Sequence, residues 1–140
     1  MTTLKAIPVY LETPYANGGT ADDATIARNI RYLRACMHDC LMRGEAPFAS
    51  HGLYTQPGVL RDELPEERRH GIDAGFTYRT LCQYTVTYTD LAAGVGVVEG
   101  IKHADAAGHS IERRTLGSNW EKEYEERVAN SRSQKIWSAT

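Results

Sequence analysis

Two stretches of this chain hold residues that could do chemistry on a small molecule. The first reads Val9-Tyr10-Leu11-Glu12-Thr13-Pro14-Tyr15. The second reads Tyr88-Thr89-Asp90-Leu91-Ala92-Ala93-Gly94-Val95-Gly96-Val97-Val98-Glu99. In each, an apolar run that suits a strand gives way to polar groups and a helix-bearing segment. Strand ends of a parallel sheet share one edge, where small ligands bind. Gly94 and Gly96 would let the backbone approach a ligand closely, and the helix behind them offers free N–H groups to an anion. This glycine pair lacks the third glycine of a dinucleotide fingerprint and the lysine of a P-loop, so an ordinary strand-to-helix turn would read the same way. Glu99, just inside that helix, is either a surface carboxylate favoured by the helix dipole or a nucleophile aimed at an anomeric carbon. A glycosidic bond breaks through an oxocarbenium-like state that a carboxylate can stabilise or capture. Asp90, at the end of the preceding strand, would supply the second acid.

Other strand ends add candidates. Tyr10 belongs to the first strand, and Glu12 and Tyr15 follow it. As site residues, Glu12 would bond a sugar hydroxyl and Tyr15 would stack on a base; otherwise they are loop polars. Ser50-His51 follows the second strand and could contact a phosphate or base, although a lone histidine there is more often structural. Arg68 and Arg69 follow Glu66-Glu67 on a helix and read as solvated partners. His70, His103 and His109 lack ligand spacing. Cys36 and Cys40 share a helix face and could hold a metal with His38 or His103. Without a second Cys pair they read as two small buried thiols, and no metal or other cofactor is expected.

The elements that would position these residues alternate. Ile7 to Leu11 is a first strand, with Pro8 suiting a strand beginning or an edge. Ile26, Ile30, Leu33, Met37 and Leu41 recur at helical spacing, and Gly44 ends that helix. Ala46 to Ala49 is a weak second strand, and Ser50 to Glu63 is a long loop. Pro65 opens a second helix with Glu66 and Glu67 in its first turn. Tyr84 to Tyr88 is a strand, Gly96 to Ala107 a third helix, and Ser110 to Thr115 a polar edge strand. This order predicts an α/β, Rossmann-like (flavodoxin-like) fold, a mainly parallel sheet with helices on both faces. The composition shifts after Gly117. Residues 1–117 read as the domain, and residues 118–140 as a charged, solvated helix and tail carrying Trp120 and Trp137.

Composition narrows the classes. The 140 residues are 41% hydrophobic and 24% charged, which suits a globular domain. A net charge of -2 provides no overall basic field for polymeric nucleic acid. No apolar run approaches the ~20 residues of a membrane span. The N-terminal residues hold no apolar signal core, which predicts a cytoplasmic location.

The two opening stretches resemble the nucleoside 2-deoxyribosyltransferase superfamily, including its nucleotide N-glycosidase branch. Tyr10 to Tyr15 is similar to that family's opening motif. Asp90, Gly94, Gly96 and Glu99 are similar to its aspartate, glycine loop and catalytic glutamate. Ala104 to Gly108 and His109 to Arg113 fit the helix and strand that follow. The likeness spans roughly residues 7 to 116. Pro47 to His51 and Pro65 to Arg68 also resemble segments of uncharacterised phage and actinobacterial proteins. The resemblance implies an N-glycosidase or deoxyribosyltransferase acting on a nucleoside or nucleoside monophosphate, in a homo-oligomer. Two departures stand out. Val97 and Val98 both precede Glu99 where the family has one residue, and an extra helical residue turns a side chain by about 100°. Gln83 lies near the family's acidic position before the third strand. A non-catalytic nucleotide-binding or sequestering protein on the same fold, of phage type, fits these departures. An assembly module using Trp120 and Trp137 is a third reading.

Overall fold

The computed structural model describes residues 5–132. In chain order it contains β1 (Ile7–Glu12), a 3-10 turn (Asn17–Gly19), α1 (Asp23–Met42), β2 (Glu45–Phe48) and α2 (Ser50–Leu53). There follow α3 (Pro65–Arg79), β3 (Tyr84–Tyr88), α4 (Val95–Ala106), β4 (Ile111–Arg114) and α5 (Trp120–Ala129). Local chemistry explains several boundaries. Asp22 caps α1 by accepting the Thr25 N–H at 2.8 Å. Gly44, at φ +83°, turns the chain after α1 in a conformation that side chains other than glycine rarely adopt. Pro65 opens α3, where its missing N–H costs nothing. The segment after β2 is not wholly loop, since Ser50–Leu53 forms one helical turn.

Helical crossovers connect the strands, so all four run parallel in the order β2-β1-β3-β4. The fold is α/β and Rossmann-like. β4 lies at an edge, as its polarity predicts. β1 does not: it is central, and Pro8 sits near its start. Proline has no N–H to give the ladder, but the Pro8 carbonyl still accepts the Gln83 N–H at 2.8 Å.

Strand alternation divides the sheet into two unlike faces. Val9, Leu11, Val86 and Tyr88 join Tyr32, Leu33, Cys36 and Cys40 of α1 in an apolar core. Cys36 and Cys40 are fully buried, whereas Leu41 is 52% exposed, so the inward face of α1 is rotated from its most apolar stripe. Tyr32 and the two cysteines are the residues of α1 that are wholly buried over the sheet. Tyr10, Glu12, Thr85 and Thr87 occupy the alternate positions, where α3 and α4 pack on β1.

α5 is not the solvated helix its charge suggests. It packs on α1, with Trp120 and Tyr124 buried in the same core. Trp120 meets the Tyr32 ring edge-on at 5.0 Å between centroids. Trp120 is therefore spent inside this chain and is unavailable as an anchor for another subunit, while Trp137 lies outside the described residues. Among those residues no helix is long and apolar enough to cross a membrane. Trp120→Ala is expected to cost about 3–5 kcal/mol of stability. Urea denaturation measures this, and a loss below about 1 kcal/mol would show that α5 is not part of the cooperative core.

Candidate functional site at the β1/β3 switch point

β2 lies on one side of β1 and β3 on the other, so the crossovers leave in opposite directions. That reversal opens a crevice at the carboxyl ends of the strands. A cavity of about 100 Å³ lies there. Tyr10, Glu12, Thr13 and Tyr15 line it from β1 and its loop, and Ser50 and His51 from α2. Gly94, Val95, Gly96, Val97 and Glu99 line it from the start of α4. Arg68, Ile72 and Phe76, one face of α3, and Asp62 complete it.

The wall between β1 and α4 is tied by Asn17. Its Oδ1 accepts the Val95 N–H at 3.0 Å, which fixes the loop after β1 to the first turn of α4. Asn17 has φ +48°, a left-handed conformation that asparagine tolerates better than most residues. Gly96 and Val97 are in the first turn of α4, where backbone N–H groups have no acceptor within the helix.

Glu12 lies at the cleft floor, with a side chain only 10% exposed. Arg79, fully buried at the end of α3, donates from Nη2 to Glu12 Oε1 at 2.6 Å. The guanidinium stacks over Tyr10 at 4.3 Å from the ring centroid and near Phe76 at 5.1 Å. Its Nη1 donates to the Gly100 carbonyl at 2.7 Å and to His103 Nδ1 at 2.8 Å. His103 in turn stacks on Phe76 at 3.8 Å. Burial, with Arg79 adding to it, holds the His103 ring below its usual range. Burial pushes the Glu12 carboxyl up to about 7; Arg79 pulls the other way, and the charge of Glu99 adds to the rise.

His51 is also neutral under ordinary conditions, because burial pushes its imidazole down to about 4. Its Nε2 shares a 2.7 Å hydrogen bond with Thr13 Oγ1. Tyr15 stands 6.2 Å from the His51 ring at the same wall. Tyr10 is almost wholly covered and its hydroxyl pairs with Ser50 at 3.3 Å, so it supports the cleft more than it offers a free surface.

Glu99 stands at the mouth, its side chain 39% exposed and ion-paired to Arg69 of α3. The additional valine before it does not turn it from the cleft. Val97 points inward at 7% exposure and Val98 is 47% exposed. Arg69 also holds Asp73 at 2.9 Å. Arg68 is thus a cleft residue, whereas Arg69 is exposed and meets the cleft only through Glu99. Arg68, Ile72 and Phe76 are four apart, and that spacing carries the signal in the sequence.

Asp90 is the expected site residue that the cleft does not include. Its Oδ1 accepts from the Tyr32 hydroxyl at 2.6 Å and from the Leu116 N–H at 2.8 Å, and its Oδ2 from the Gly117 N–H at 3.0 Å. It ties the end of β3 to the turn after β4. Burial opposes its ionisation, but these hydrogen bonds together hold it below the usual carboxylate range. The reason is parity. Val86 and Tyr88 face α1, and Asp90 continues that alternation away from the cleft. Besides Glu99, the carboxyl groups that line the cleft are Glu12 and Asp62. Among the described residues no three His, Cys, Asp or Glu side chains gather as a metal would need.

Residues 7–114 match the family described as a domain of unknown function, DUF7768, and the chain belongs to that family. No curated protein matches it, and no solved structure does.

Two measurements test the floor of this site. A Cβ at Gly100 would fall 2.2 Å from Glu12 Oε1 and 2.6 Å from Oε2. Glycine to alanine inside a helix ordinarily gains roughly 0.5–1 kcal/mol. Gly100→Ala is expected to lose about 1–3 kcal/mol instead, measured by denaturation. A gain would show that Glu12 is not packed against α4. The second test is pH. The folded protein keeps the Glu12 proton up to about 7, whereas an unfolded chain releases it at an ordinary carboxylate value. Between those values the folded state binds more protons, so its stability falls as pH rises. Glu12→Gln should flatten that window in denaturation curves, and an unchanged slope would place the titration elsewhere.

Proposed function

We propose that this protein cleaves or transfers the N-glycosidic bond of a nucleoside or nucleoside monophosphate, with Glu99 as the nucleophile. The observation that carries the reading is the pairing of Glu12 and Glu99 in one cleft at the switch point of a parallel sheet. One carboxyl group is buried and protonatable near neutrality. The other is ion-paired at the mouth. Two carboxyl groups in unlike environments suit a reaction that needs both a proton and a negative charge at an oxocarbenium-like centre. The resemblance of the Gly94 to Glu99 segment to a deoxyribosyltransferase motif points the same way. So does the cleft wall, where Tyr15 and neutral His51 offer a base an aromatic surface and a hydrogen-bonding partner. The ligand is a single nucleoside or nucleotide rather than a polymer, needs no cofactor, and is bound in a cytoplasmic homo-oligomer.

One observation favours a binding-only protein on the same fold. Arg69 occupies the Glu99 carboxylate, and a nucleophile must be free to approach carbon. In that reading the cleft retains a nucleotide without cleaving it.

Glu99→Gln separates the two. The amide keeps the shape but has no negative charge to offer. Turnover of mixed deoxynucleosides and deoxynucleotides should fall by about 10³-fold, roughly 4 kcal/mol of transition-state stabilisation, while ligand affinity changes little. Unchanged turnover would remove Glu99 as the nucleophile. A wild-type protein that retains a nucleotide through purification, by mass spectrometry, and never cleaves it would establish the binding-only reading.

A further inference from the structure

We propose that Glu12 is the proton donor to the departing base, with Arg79 and Gly100 as the positioning residues that aim its carboxyl group. This rests on the glycosyl-transfer reading above and adds a residue role to it.

The geometry assigns the proton to one atom. Oε1 of Glu12 already accepts the Arg79 Nη2–H at 2.6 Å, so a protonated Glu12 carries its hydrogen on Oε2. Oε2 accepts no hydrogen bond among the described residues and is not enclosed, since only Arg31 Nε and Arg79 Nε are buried without a partner there. Glu12 lines the cavity, so Oε2 is the face it offers to a ligand. Gly100 makes this possible. The carboxyl group lies flat against its α-carbon, in space that any side chain would fill. Arg79 cannot swing away, being held by Gly100, His103 and the Tyr10 and Phe76 rings.

The charged and titratable groups around Glu12 agree with this role. Arg79 faces it from α3 and Glu99 from α4, and Tyr10 precedes it on its own strand. His51, Asp62 and Arg68 line the same cleft, and His103 lies behind Arg79. Burial of Glu12 outweighs Arg79 and keeps the proton available to about 7. Burial pushes the His51 imidazole down to about 4, away from a change near neutrality.

The step balances. The C1′–N bond breaks and its electron pair goes to the base, which takes the proton from Glu12 Oε2. A Glu99 oxygen forms a bond to C1′. Water then attacks C1′, the Glu99 ester bond breaks and its electron pair returns to the carboxylate, and the water proton goes to Glu12.

The test compares leaving groups. A purine base needs a proton to depart, whereas p-nitrophenolate does not. With deoxyadenosine or its monophosphate, Glu12→Gln should lose about 10²–10³-fold in the rate of base release. With p-nitrophenyl 2-deoxyriboside it should retain nearly all of the single-turnover rate of nitrophenolate release, because Glu12 is then needed only in the second step. Glu99→Gln should lose both. Equal losses of the two substrates in Glu12→Gln would overturn the proton-donor role while leaving the glycosyl-transfer reading intact. A wild-type protein that cleaves neither substrate would overturn that reading, and this inference with it. Glutamine keeps the acceptor for Arg79; if the variant nevertheless does not fold, the wild-type pH profile decides. Single-turnover base release should fall above about pH 7 with the nucleoside and stay level with the nitrophenyl glycoside. The same pH dependence for both would overturn the proposal.

Discussion

The contact between Arg79 and Glu12 constrains most of what surrounds it. A guanidinium with no solvent exposure cannot shed its charge, so the fold must supply hydrogen-bond acceptors and a polarisable surface. Glu12, Gly100 and His103 supply the acceptors, and the Tyr10 and Phe76 rings the surface. Those partners come from β1, α3 and α4, so one side chain ties together the three elements that shape the cleft. The cost is a carboxyl group taken out of water beside a second carboxylate. Removing one partner of such a pair typically costs about 3–5 kcal/mol, because the other is left buried and alone. The same burial that makes Glu12 expensive gives it a proton to exchange near neutrality.

The two faces of the sheet do different work. The face under α1 and α5 is an apolar core closed by Tyr32, Cys36, Cys40 and Trp120, and it provides cohesion. Hydrogen bonds from Tyr32 to Asp90, and from Tyr88 to Asp39 at 2.6 Å, pin strand ends to it. The face under α3 and α4 carries Glu12, Thr85 and Thr87, and polar pairs fill it. Thr85 and the Cys82 carbonyl hold the His109 ring at 2.8 and 2.9 Å, much as Arg79 holds Glu12. The α1 face buries charge as well: Arg114 pairs with Glu45 at 2.6 Å beside Tyr88 and Cys40. Glycines allow the close approach: Gly75 leaves room for Ser50 and the Tyr10 hydroxyl, and Gly100 for Glu12.

Much was legible in the sequence, and some was not, for reasons that differ by residue. The alternation of apolar runs with helical periodicity determined four strands and the helices between them, because side-chain burial on a pleated strand and on a helix imposes periods of about 2 and 3.6. That alternation, with helical crossovers, implies a parallel sheet and a cleft at its carboxyl edge. Tyr15, His51, Gly94, Gly96 and Glu99 could therefore be placed together before any coordinates. Tertiary structure decided what periodicity does not encode. Pro8 lies in a central strand because strand order is a property of the whole sheet. Trp120 is buried because α1 offered a surface that the charged residues of α5 conceal. Asp90 left the site because strand parity carried it to the α1 face. Arg68 reads as an ordinary surface cation and Arg79 carries no signal at all, since nothing local to α3 says which of its faces will meet β1. The chemistry of Glu12 belongs to this last class. Its position after β1 was evident from the chain, but its raised proton affinity exists only once a buried arginine, a glycine on α4 and a second glutamate surround it.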